Sequence, residues 1–294
     1  MDMTERVLRS ETDMLKKQEL IKVKSTGMEI THEGTEVLSQ LSDYFNVYSD
    51  DHRMARAIKE KFNIKDVHVI PGDSDSNQTV KREIGRQAGQ LLESILYEDA
   101  IVSVTGGSTM AYVSESIHLL PFNVFFVPAR GGLGENMVYQ ANTISSSMAQ
   151  QAGGYYTTLY VPDNVSESTY DTLMLEPSVI HTLDKIKQAN VTIHGIGDAL
   201  KMAHRRQSPK EVIDKLQHHQ AVGEAFGYYF DAQGNVVHKV KTIGLQLEDL
   251  ESKDFIFAVA GGQSKGEAIK AYLSIAPDNT VLITDETAAK VILQ

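Results

Sequence analysis

Four glycine-containing segments of the sequence are of the type that holds phosphate groups. The first reads Thr105-Gly106-Gly107-Ser108-Thr109; it follows an apolar run and precedes a helical pattern. Small residues let a ligand approach the backbone, and the N–H groups at the start of the next helix would face that ligand with the positive end of the helix dipole. The hydroxyls of Ser108 and Thr109 add hydrogen-bond donors. The segment matches neither the GxxxxGK(S/T) loop nor the GxGxxG fingerprint, so an ordinary tight turn is the alternative.

The second segment, Val127–Glu135, places Arg130 among glycines directly after a predicted strand. A guanidinium group in such a place needs an anion to pair with, which favours a bound phosphate or carboxylate. The alternative is an ion pair with Glu135 or with another carboxylate of the chain. Gln140 and Asn142 follow at the start of a predicted helix, where they either hydrogen-bond sugar hydroxyls or face solvent.

The third and fourth segments add cations near two more predicted strand ends. The residues His194–Asp198 are followed by the adjacent pair Arg205 and Arg206, which suggests a second phosphate clamp. The alternative is one solvated arginine and one structural arginine. The segment Gly261–Lys265 opens a helix, and a lysine at a helix N-terminus is disfavoured by the dipole unless an anion lies between them.

The cations in these segments exceed what a single monophosphate needs. A bisphosphorylated ligand, or a ligand with one phosphate and one carboxylate, would account for the surplus. An enzyme is the alternative, because Asp198, His204 and Glu224 could form an acid/base set for sugar isomerisation. The sequence contains no GxSxG or HExxH motif, and with no cysteine it excludes thiol catalysis and cysteine-based metal sites. We therefore assign no catalytic residue and no metal ligand.

Composition indicates a folded protein with an uneven distribution of charge. The 294 residues are 41% hydrophobic and 23% charged, and at about 150 residues per domain they predict two domains. No apolar run of about 18 residues and no signal-peptide pattern is found, which predicts a soluble, cytoplasmic protein. The net charge of −11 opposes nucleic-acid binding overall, but residues 1–28 carry six basic and five acidic side chains. A polyanionic partner is therefore expected at the N-terminal end.

The N-terminal segment predicts a helix, a β-hairpin and a second helix. The first helix covers residues 4–18, the strands cover 20–24 and 28–30, and the second helix begins at Thr31 or His32. This order is that of the back half of a winged helix-turn-helix; an ordinary αββα fragment is the alternative. Residues 46–65 predict a helical linker.

From residue 66 onwards, short β-branched runs alternate with helical patterns. This alternation predicts an α/β fold, a doubly wound and mostly parallel sheet, with ligands bound at the carboxyl ends of its strands. The predicted strands are 67–70, 100–104, 124–127, 155–161, 191–194, 255–260 and 281–284, and the predicted helices are 77–97, 109–118, 136–152, 167–189, 208–219, 265–274 and 286–293. A β-hairpin is predicted between residues 226–230 and 236–240.

Several of these motifs, taken together, resemble SorC/DeoR-type sugar-responsive transcriptional repressors, and among them the repressors of glycolytic genes in Gram-positive bacteria. The resemblance spans residues 4–294 and is carried by the segments 104–109, 126–134 (FVPARGGLG), 140–143, 194–197, 225–230 (AFGYYF) and 258–265 (AVAGGQSK). It implies an effector domain of the sugar-phosphate isomerase type with a Rossmann-like fold. It also implies fructose 1,6-bisphosphate as the inducer, no other cofactor, and a homo-oligomer, dimer or tetramer, that binds operator DNA.

The resemblance also assigns residues and domains. The implied effector contacts are Gly106, Gly107, Ser108, Thr109, Arg130, Gln140, Arg205, Arg206, Glu224 and Lys265, where Glu224 would accept hydrogen bonds from sugar hydroxyls. The implied DNA contacts are Arg6, Arg9, Lys16 and Lys17 on a recognition helix, with Lys22 and Lys24 in the wing. The implied domains are a partial winged-helix segment (1–45), the linker (46–65) and the effector-binding domain (66–294).

In the family, the winged helix begins well before the stretch that matches Thr4, so we expect the helices that support the recognition helix to be absent here. The sequence as a whole predicts a non-enzymatic repressor that senses a sugar phosphate. In this hypothesis the ligand favours one oligomeric arrangement and so changes the spacing of the DNA-binding arms. The alternatives are a sugar-phosphate isomerase or deaminase that uses Asp198, His204 or Glu224, and an oligomerisation module with a vestigial pocket.

Overall fold

The computed structural model describes residues 4–24, 27–38, 50–132, 136–163 and 165–294. The chain divides into two units, Met1–Arg53 and Met54–Gln294. Among the described helices, none combines the length and apolar character that crossing a lipid bilayer requires.

The N-terminal unit has the predicted order of helix, hairpin and helix. Helix α1 spans Glu5–Lys17, and the antiparallel strands β1 (Ile21–Lys24) and β2 (Gly27–Ile30) follow. Residues 32–38 are helical, and Thr31 begins this helix: its hydroxyl donates to the carbonyl of Glu19 at 2.7 Å and accepts from the Gly34 N–H at 2.9 Å. Residues 25 and 26 between the two strands, the predicted part of this helix beyond residue 38, and the first residues of the predicted linker (46–49) lie outside the described residues.

The larger unit is built on a seven-stranded sheet in which every pair of neighbours is parallel. The strand order is β3-β13-β12-β7-β4-β5-β6, with β3 Asp66–Ile70, β4 Ala100–Val104, β5 Val124–Pro128, β6 Tyr155–Tyr156, β7 Val191–His194, β12 Phe255–Val259 and β13 Thr280–Asp285. The predicted α/β fold with a parallel sheet is therefore confirmed.

Helices cover both faces of this sheet, because alternate strand residues point to opposite sides. In β12, for example, Phe257 and Val259 pack on one face while Ile256 and Ala258 pack on the other. The first face is covered by α3 (Gln78–Ile95), α4 (Ser108–Glu115) and α5 (Ala141–Ala152). The second face is covered by α2 (Asp50–Phe62), α7 (Pro177–Gln188), α10 (Gly266–Leu273) and α11 (Glu286–Leu293).

A second, antiparallel sheet of four strands contains the predicted hairpin. Its order is β11-β10-β9-β8, with β8 Gly197–Asp198, β9 Gly223–Ala225, β10 Tyr228–Phe230 and β11 Val236–Lys239. Helices α8 (Ala199–Arg205) and α9 (Lys210–His218) pack against it. The turn between β9 and β10 has two residues with positive φ, Phe226 at 54° and Gly227 at 86°, as a type I′ turn requires.

Two predicted elements were wrong in extent, and one helix was not predicted. The strand predicted over 155–161 ends after Tyr156, because the backbone of Leu159 is hydrogen-bonded to the side chain of Asn142 instead of to a neighbouring strand. The Leu159 N–H donates to Asn142 Oδ1 at 2.8 Å, and Asn142 Nδ2 donates to the Leu159 carbonyl at 3.1 Å. The helix predicted over 167–189 is interrupted before Pro177, which begins α7 and has no N–H to continue a preceding helix. That helix is therefore α6 (Glu167–Leu173) followed by α7, and α8 was not predicted at all.

We expect Asn142→Ala to lower the free energy of unfolding by about 2 kcal/mol, because the buried N–H and C=O of Leu159 lose their partners. Urea denaturation followed by circular dichroism measures the change. Gln150→Ala, on an exposed position of the same helix, is the control and should be near neutral. Equal stability of the two variants would show that the Asn142 contact does not hold this segment.

Candidate functional site

A cavity of about 280 Å³ lies at the carboxyl ends of the four adjacent strands β12, β7, β4 and β5. This is where an open α/β sheet binds ligands. The cavity brings together all ten residues that the sequence predicts as effector contacts: Gly106, Gly107, Ser108, Thr109, Arg130, Gln140, Arg205, Arg206, Glu224 and Lys265.

Two glycines shape the loop that leads from β4 into α4. A Cβ on Gly106 would lie 2.5 Å from the carbonyl oxygen of Tyr139, so no larger residue fits there. Gly107 has a φ of +128°, and its N–H donates to the same carbonyl at 2.8 Å. The first-turn residues Ser108, Thr109 and Met110 line the cavity, and the N–H groups of a first helical turn have no partner within the helix. The start of α4 is therefore able to bind an anion.

Lysines near this loop add positive charge. Lys265 stands at the N-cap of α10 and lines the cavity together with Lys201 of α8. Burial, with the charges of Lys81 and Lys201, lowers the pKa of Lys265 to about 8, although Asp75 and Asp285 oppose the shift. In the described part of the chain, no carboxylate lies within 4.0 Å of Lys201 or Lys265. An anion in the cavity would therefore meet two ammonium groups that have no carboxylate in direct contact.

Two arginines and two carboxylates form a buried ion network, which consists of Arg130, Asp163, Arg206 and Glu224. Arg130 lies 2.6 Å from Asp163 and 3.2 Å from Glu224. Arg206 donates from Nε to Asp163 at 3.0 Å and from Nη2 to Glu224 at 2.8 Å, and its Nη1 donates to the hydroxyl of Tyr229 at 2.9 Å. The two positive and two negative charges balance.

The network sets the ionisation of its members. Burial would raise the pKa of Glu224, but Arg206, Arg130 and the Gly227 N–H, which donates to Oε1 at 2.6 Å, lower it overall. Burial would likewise lower the pKa of Arg206, but the charges of Glu224 and Asp163 raise it. Both groups are therefore charged at neutral pH.

The network shows which predicted arginines have carboxylate partners within the chain. Without a ligand, Arg130 has carboxylate partners, as the alternative interpretation requires; they are Asp163 and Glu224, while Glu135 lies outside the described residues. Its Nε is buried and has no hydrogen-bond partner among the described groups. Arg206 is the structural member of the arginine pair, and Arg205 is half-buried in the cavity wall.

Glu224 keeps one oxygen available to the cavity. The hydrogen bonds from Arg130, Arg206 and Gly227 all reach Oε1. Oε2 lies 3.6 Å from where a Cβ on Gly197 would be, and Gly197 lines the cavity. A carboxylate oxygen in this position is able to accept a hydrogen bond from a hydroxyl group.

The residues of the enzyme alternative do not form an acid/base set. The carboxylate of Asp198 caps α8 by accepting from the Lys201 N–H at 2.8 Å. His204 is exposed and does not line the cavity, and Glu224 is held by two arginines. Within the described ranges, no cluster of histidine and carboxylate side chains is arranged to hold a metal ion.

Gln140 and Asn142 have different surroundings. Gln140 lines the cavity, and its Oε1 lies 2.9 Å from the position of a Cβ on Gly132. Asn142 is turned away to the backbone of Leu159. Only Gln140 is therefore placed to meet a ligand.

Sequence reasoning missed the buried partners of the site. Asp163 and Tyr229 complete the ion network, and His194 supports the loop after β7: its Nδ1 donates to the Gly195 carbonyl at 3.1 Å, and Nε2 accepts from the Tyr272 hydroxyl at 2.9 Å. Burial lowers the pKa of His194 to about 4, so the ring is neutral. Tyr229 and His194 lie within motifs that the sequence analysis singled out, whereas no local signal marks Asp163.

In the N-terminal unit, α1 has a basic face. With 100° between successive helical residues, Arg6, Arg9, Lys16 and Lys17 fall within an arc of about 100°. All four are exposed, and Arg9 pairs with Glu5 at 2.7 Å. In the hairpin, Lys22 and Lys24 are exposed as well, and Lys24 pairs with Glu29 at 2.5 Å. These exposed cations are accessible to a polyanion.

Comparison with known proteins covers both units. Residues 47–294 match the family model described as "Putative sugar-binding domain", and residues 1–45 match the "CggR N-terminal DNA binding domain". The Central glycolytic genes regulator of Priestia megaterium is 47% identical over 98% of this chain and 85% of its own length. The protein of the same name from Bacillus subtilis is 46% identical over 99% of this chain and 86% of its own length.

A solved structure supports the same assignment. The "putative SorC family transcriptional regulator" from Enterococcus faecalis superimposes with a TM-score of 0.78 at 42% identity, covering 83% of this chain and 100% of that one. These relatives are named as regulators of transcription and not as enzymes. The chain therefore belongs to the SorC family of transcriptional regulators and, within it, to the central glycolytic genes regulators.

Proposed function

We propose that the chain represses glycolytic genes and that fructose 1,6-bisphosphate, or a closely related sugar phosphate, is its inducer. The effector-binding domain comprises residues 66–294, the partial winged-helix segment 1–45 contacts operator DNA, and 46–65 link the two. The observation that carries the proposal is that all ten residues implied as effector contacts line one cavity at the carboxyl edge of the sheet.

One phosphate is held at the start of α4. The unpaired first-turn N–H groups, the hydroxyls of Ser108 and Thr109, and the ammonium of Lys265 are all donors, and a phosphate has only acceptors. Gly107 leaves room for its oxygens beside the backbone, because nothing lies within 4 Å of the position that its Cβ would take. Gly106 instead lets the loop pack closely against the Tyr139 carbonyl.

The remaining lining fits a sugar with a second anionic group. Arg130, Arg205 and Gln140 supply donors, and Oε2 of Glu224 accepts from a sugar hydroxyl. Five cationic and three carboxylate side chains line the cavity, so a ligand with two phosphates compensates the excess of positive charge better than a monophosphate does.

The basic face of α1 supports the DNA-binding part of the proposal. Arg6, Arg9, Lys16 and Lys17 contact phosphates and bases, and Lys24 contacts the backbone from the wing. We propose that the protein is a cytoplasmic homo-oligomer, dimer or tetramer. The effector binds one arrangement of subunits more tightly than the other, which changes the spacing of the DNA-binding arms and releases the operator.

The effector is tested by a thermal-unfolding titration of the chain with fructose 1,6-bisphosphate, fructose 6-phosphate, glucose 6-phosphate and dihydroxyacetone phosphate. We expect the bisphosphate to raise the melting temperature most, since a ligand that binds only the folded state stabilises it. Lys265→Ala should abolish most of this rise, whereas Lys270→Ala on the same helix should leave it intact. A larger rise with a monophosphate would contradict the choice of effector.

The repressor activity is tested by fluorescence anisotropy with labelled DNA from upstream of the glycolytic genes of the source organism. We expect specific binding that fructose 1,6-bisphosphate weakens. Arg6→Ala and Lys17→Ala should each reduce the slope of log K against log salt concentration by about 1, because each removes one phosphate contact. Operator affinity that stays constant throughout the effector titration would refute induction by this ligand.

Effector affinity should also depend on pH through Lys265. The pKa of this group is lowered to about 8 in the free protein, and a bound phosphate raises it again, so binding above pH 8 requires proton uptake. The affinity should therefore be full at pH 7 and decline as the pH rises through 8 to 9, while the sugar phosphate stays ionised. Isothermal titration calorimetry at several pH values measures the decline, and Lys265→Met should remove it. A flat profile in the unmodified protein would contradict a role for Lys265 in charge compensation.

A further inference from the structure

Lys81, in the first turns of α3, contacts the loop at the start of α4. Its Nζ donates to Ser108 Oγ at 2.7 Å. Among the described residues, no carboxylate lies within 4.0 Å of this ammonium. Lys81 is half-buried, and its ammonium group lies beside this loop with a hydroxyl as its hydrogen-bond partner.

The packing of α3 against α4 fixes this contact. A Cβ on Gly85 would lie 2.6 Å from Cβ of Tyr112, and a Cβ on Gly89 would lie 2.3 Å from Oγ of Ser116. The hydroxyl of Ser116 also donates to the Gly85 carbonyl at 3.0 Å. The two glycines therefore bring the helices into backbone contact, where neither helix can shift without a clash.

The register of the two helices extends this contact to the cavity. Lys81, Gly85 and Gly89 are spaced by four residues and form one stripe of α3. Their partners Ser108, Tyr112 and Ser116 form the matching stripe of α4. Of the three facing pairs, Lys81 and Ser108 lie next to the cavity. The close glycine contacts of the other two pairs therefore determine where the Lys81 ammonium group lies.

The chemistry of the pair determines the direction of the serine hydroxyl. An ammonium group donates and cannot accept, so Ser108 Oγ is the acceptor in this hydrogen bond. Its own proton is then left to donate to another group. Ser108 lines the cavity, and phosphate oxygens are acceptors only.

We propose that Lys81 is a positioning residue of the effector site, which orients the Ser108 hydroxyl as a donor to phosphate and adds positive charge behind the loop. This inference rests on the proposed function, because it assigns a further residue to the same site. Neither the motifs nor the family resemblance singled out Lys81.

The surroundings of Lys265 agree with this role. Lys81 from α3 and Lys201 from α8 both act on Lys265 and disfavour its charged form, and Asp75 and Asp285 act in the opposite sense. In the free protein the three ammonium groups repel one another. A bound phosphate converts this repulsion into attraction to a shared anion, so removal of Lys81 weakens binding even though Lys265 is retained.

The test is isothermal titration calorimetry of the full chain with fructose 1,6-bisphosphate. We compare the unmodified protein with Lys81→Met, Lys81→Arg, Ser108→Ala and the double variant of Lys81→Met with Ser108→Ala. Arg86→Met is the matched control, since Arg86 lies on the same helix, is exposed and pairs with Glu83. Melting temperatures without ligand establish that each variant is folded.

We expect Lys81→Met to weaken binding about tenfold and Arg86→Met to leave it unchanged. The loss in the double variant should be smaller than the product of the two single losses, because both single variants break the same pair. Lys81→Arg should retain part of the affinity and the salt dependence of binding, and Lys81→Met should reduce that salt dependence. If Lys81 were only structural, its substitution would show no coupling with Ser108→Ala in effector affinity and would leave the salt dependence of effector binding unchanged.

The outcomes separate the two proposals. Absence of binding to the unmodified protein refutes the proposed effector and leaves the Lys81–Ser108 contact unaffected. Binding by the unmodified protein that Lys81→Met reduces less than twofold, with independent effects in the double variant, overturns the role of Lys81. If Lys81→Met does not fold, Lys81→Arg and Ser108→Ala provide the test: unchanged affinity in both overturns the inference.

Discussion

The charge balance of four buried ions is the constraint on which the rest of the effector site depends. Arg130 follows β5, Asp163 belongs to the segment after β6, Arg206 directly follows α8, and Glu224 lies in β9. These elements come from both sheets of the larger unit, and the network ties them together at the carboxyl edge of the parallel sheet. Removing one partner from such a cluster typically costs about 3–5 kcal/mol, since an uncompensated charge is left buried. The network therefore fixes the relative position of the two sheets as well as one wall of the cavity.

This balance divides the cations around the cavity into two kinds. Arg130 and Arg206 have carboxylate partners within the chain, so their charges are already balanced. Their contribution to the binding of a ligand would come from directed hydrogen bonds more than from net charge. Lys81, Lys201 and Lys265 have no such partners among the described groups, and they cluster near the loop that begins α4. Under the proposed function, the lysines would provide long-range attraction of the anionic effector. The arginines and Glu224 would provide the directed hydrogen bonds that distinguish one sugar phosphate from another.

The sequence was sufficient to predict the fold class and most strands, because strands such as Ala100–Val104 and Phe255–Val259 are buried apolar runs bounded by turn residues. Most of the cavity-lining residues that were predicted lie in or near a glycine-bearing loop at a strand end, whereas Glu224 was implied by the family resemblance alone. The extent of β6 could not be predicted, because it depends on the side chain of Asn142 from another element. The break before Pro177 follows from the sequence itself, because proline has no N–H with which to continue a preceding helix.

The missed residues of the site have a common cause. Asp163 reaches Arg206 across 43 positions of the chain, and Lys81 reaches Ser108 across 27. Neither separation corresponds to a helical or strand period, so no local pattern connects the partners. Only the packed fold brings them together. The reverse holds for the arginine pair, where the sequence identified both residues but could not tell which one is buried.

The turn between β9 and β10 limits how this protein can diverge. Phe226 adopts a left-handed conformation that is unfavourable for a residue with a side chain, its ring lies 4.6 Å from that of His194, and it lines the cavity. A side chain at Gly227 would meet Arg130 Nη2 at 3.1 Å. Neither residue can change alone: the cavity wall constrains Phe226, and the ion network constrains Gly227. Changes of ligand preference are therefore expected at cavity-lining residues outside this turn, such as Gln140 and Arg205.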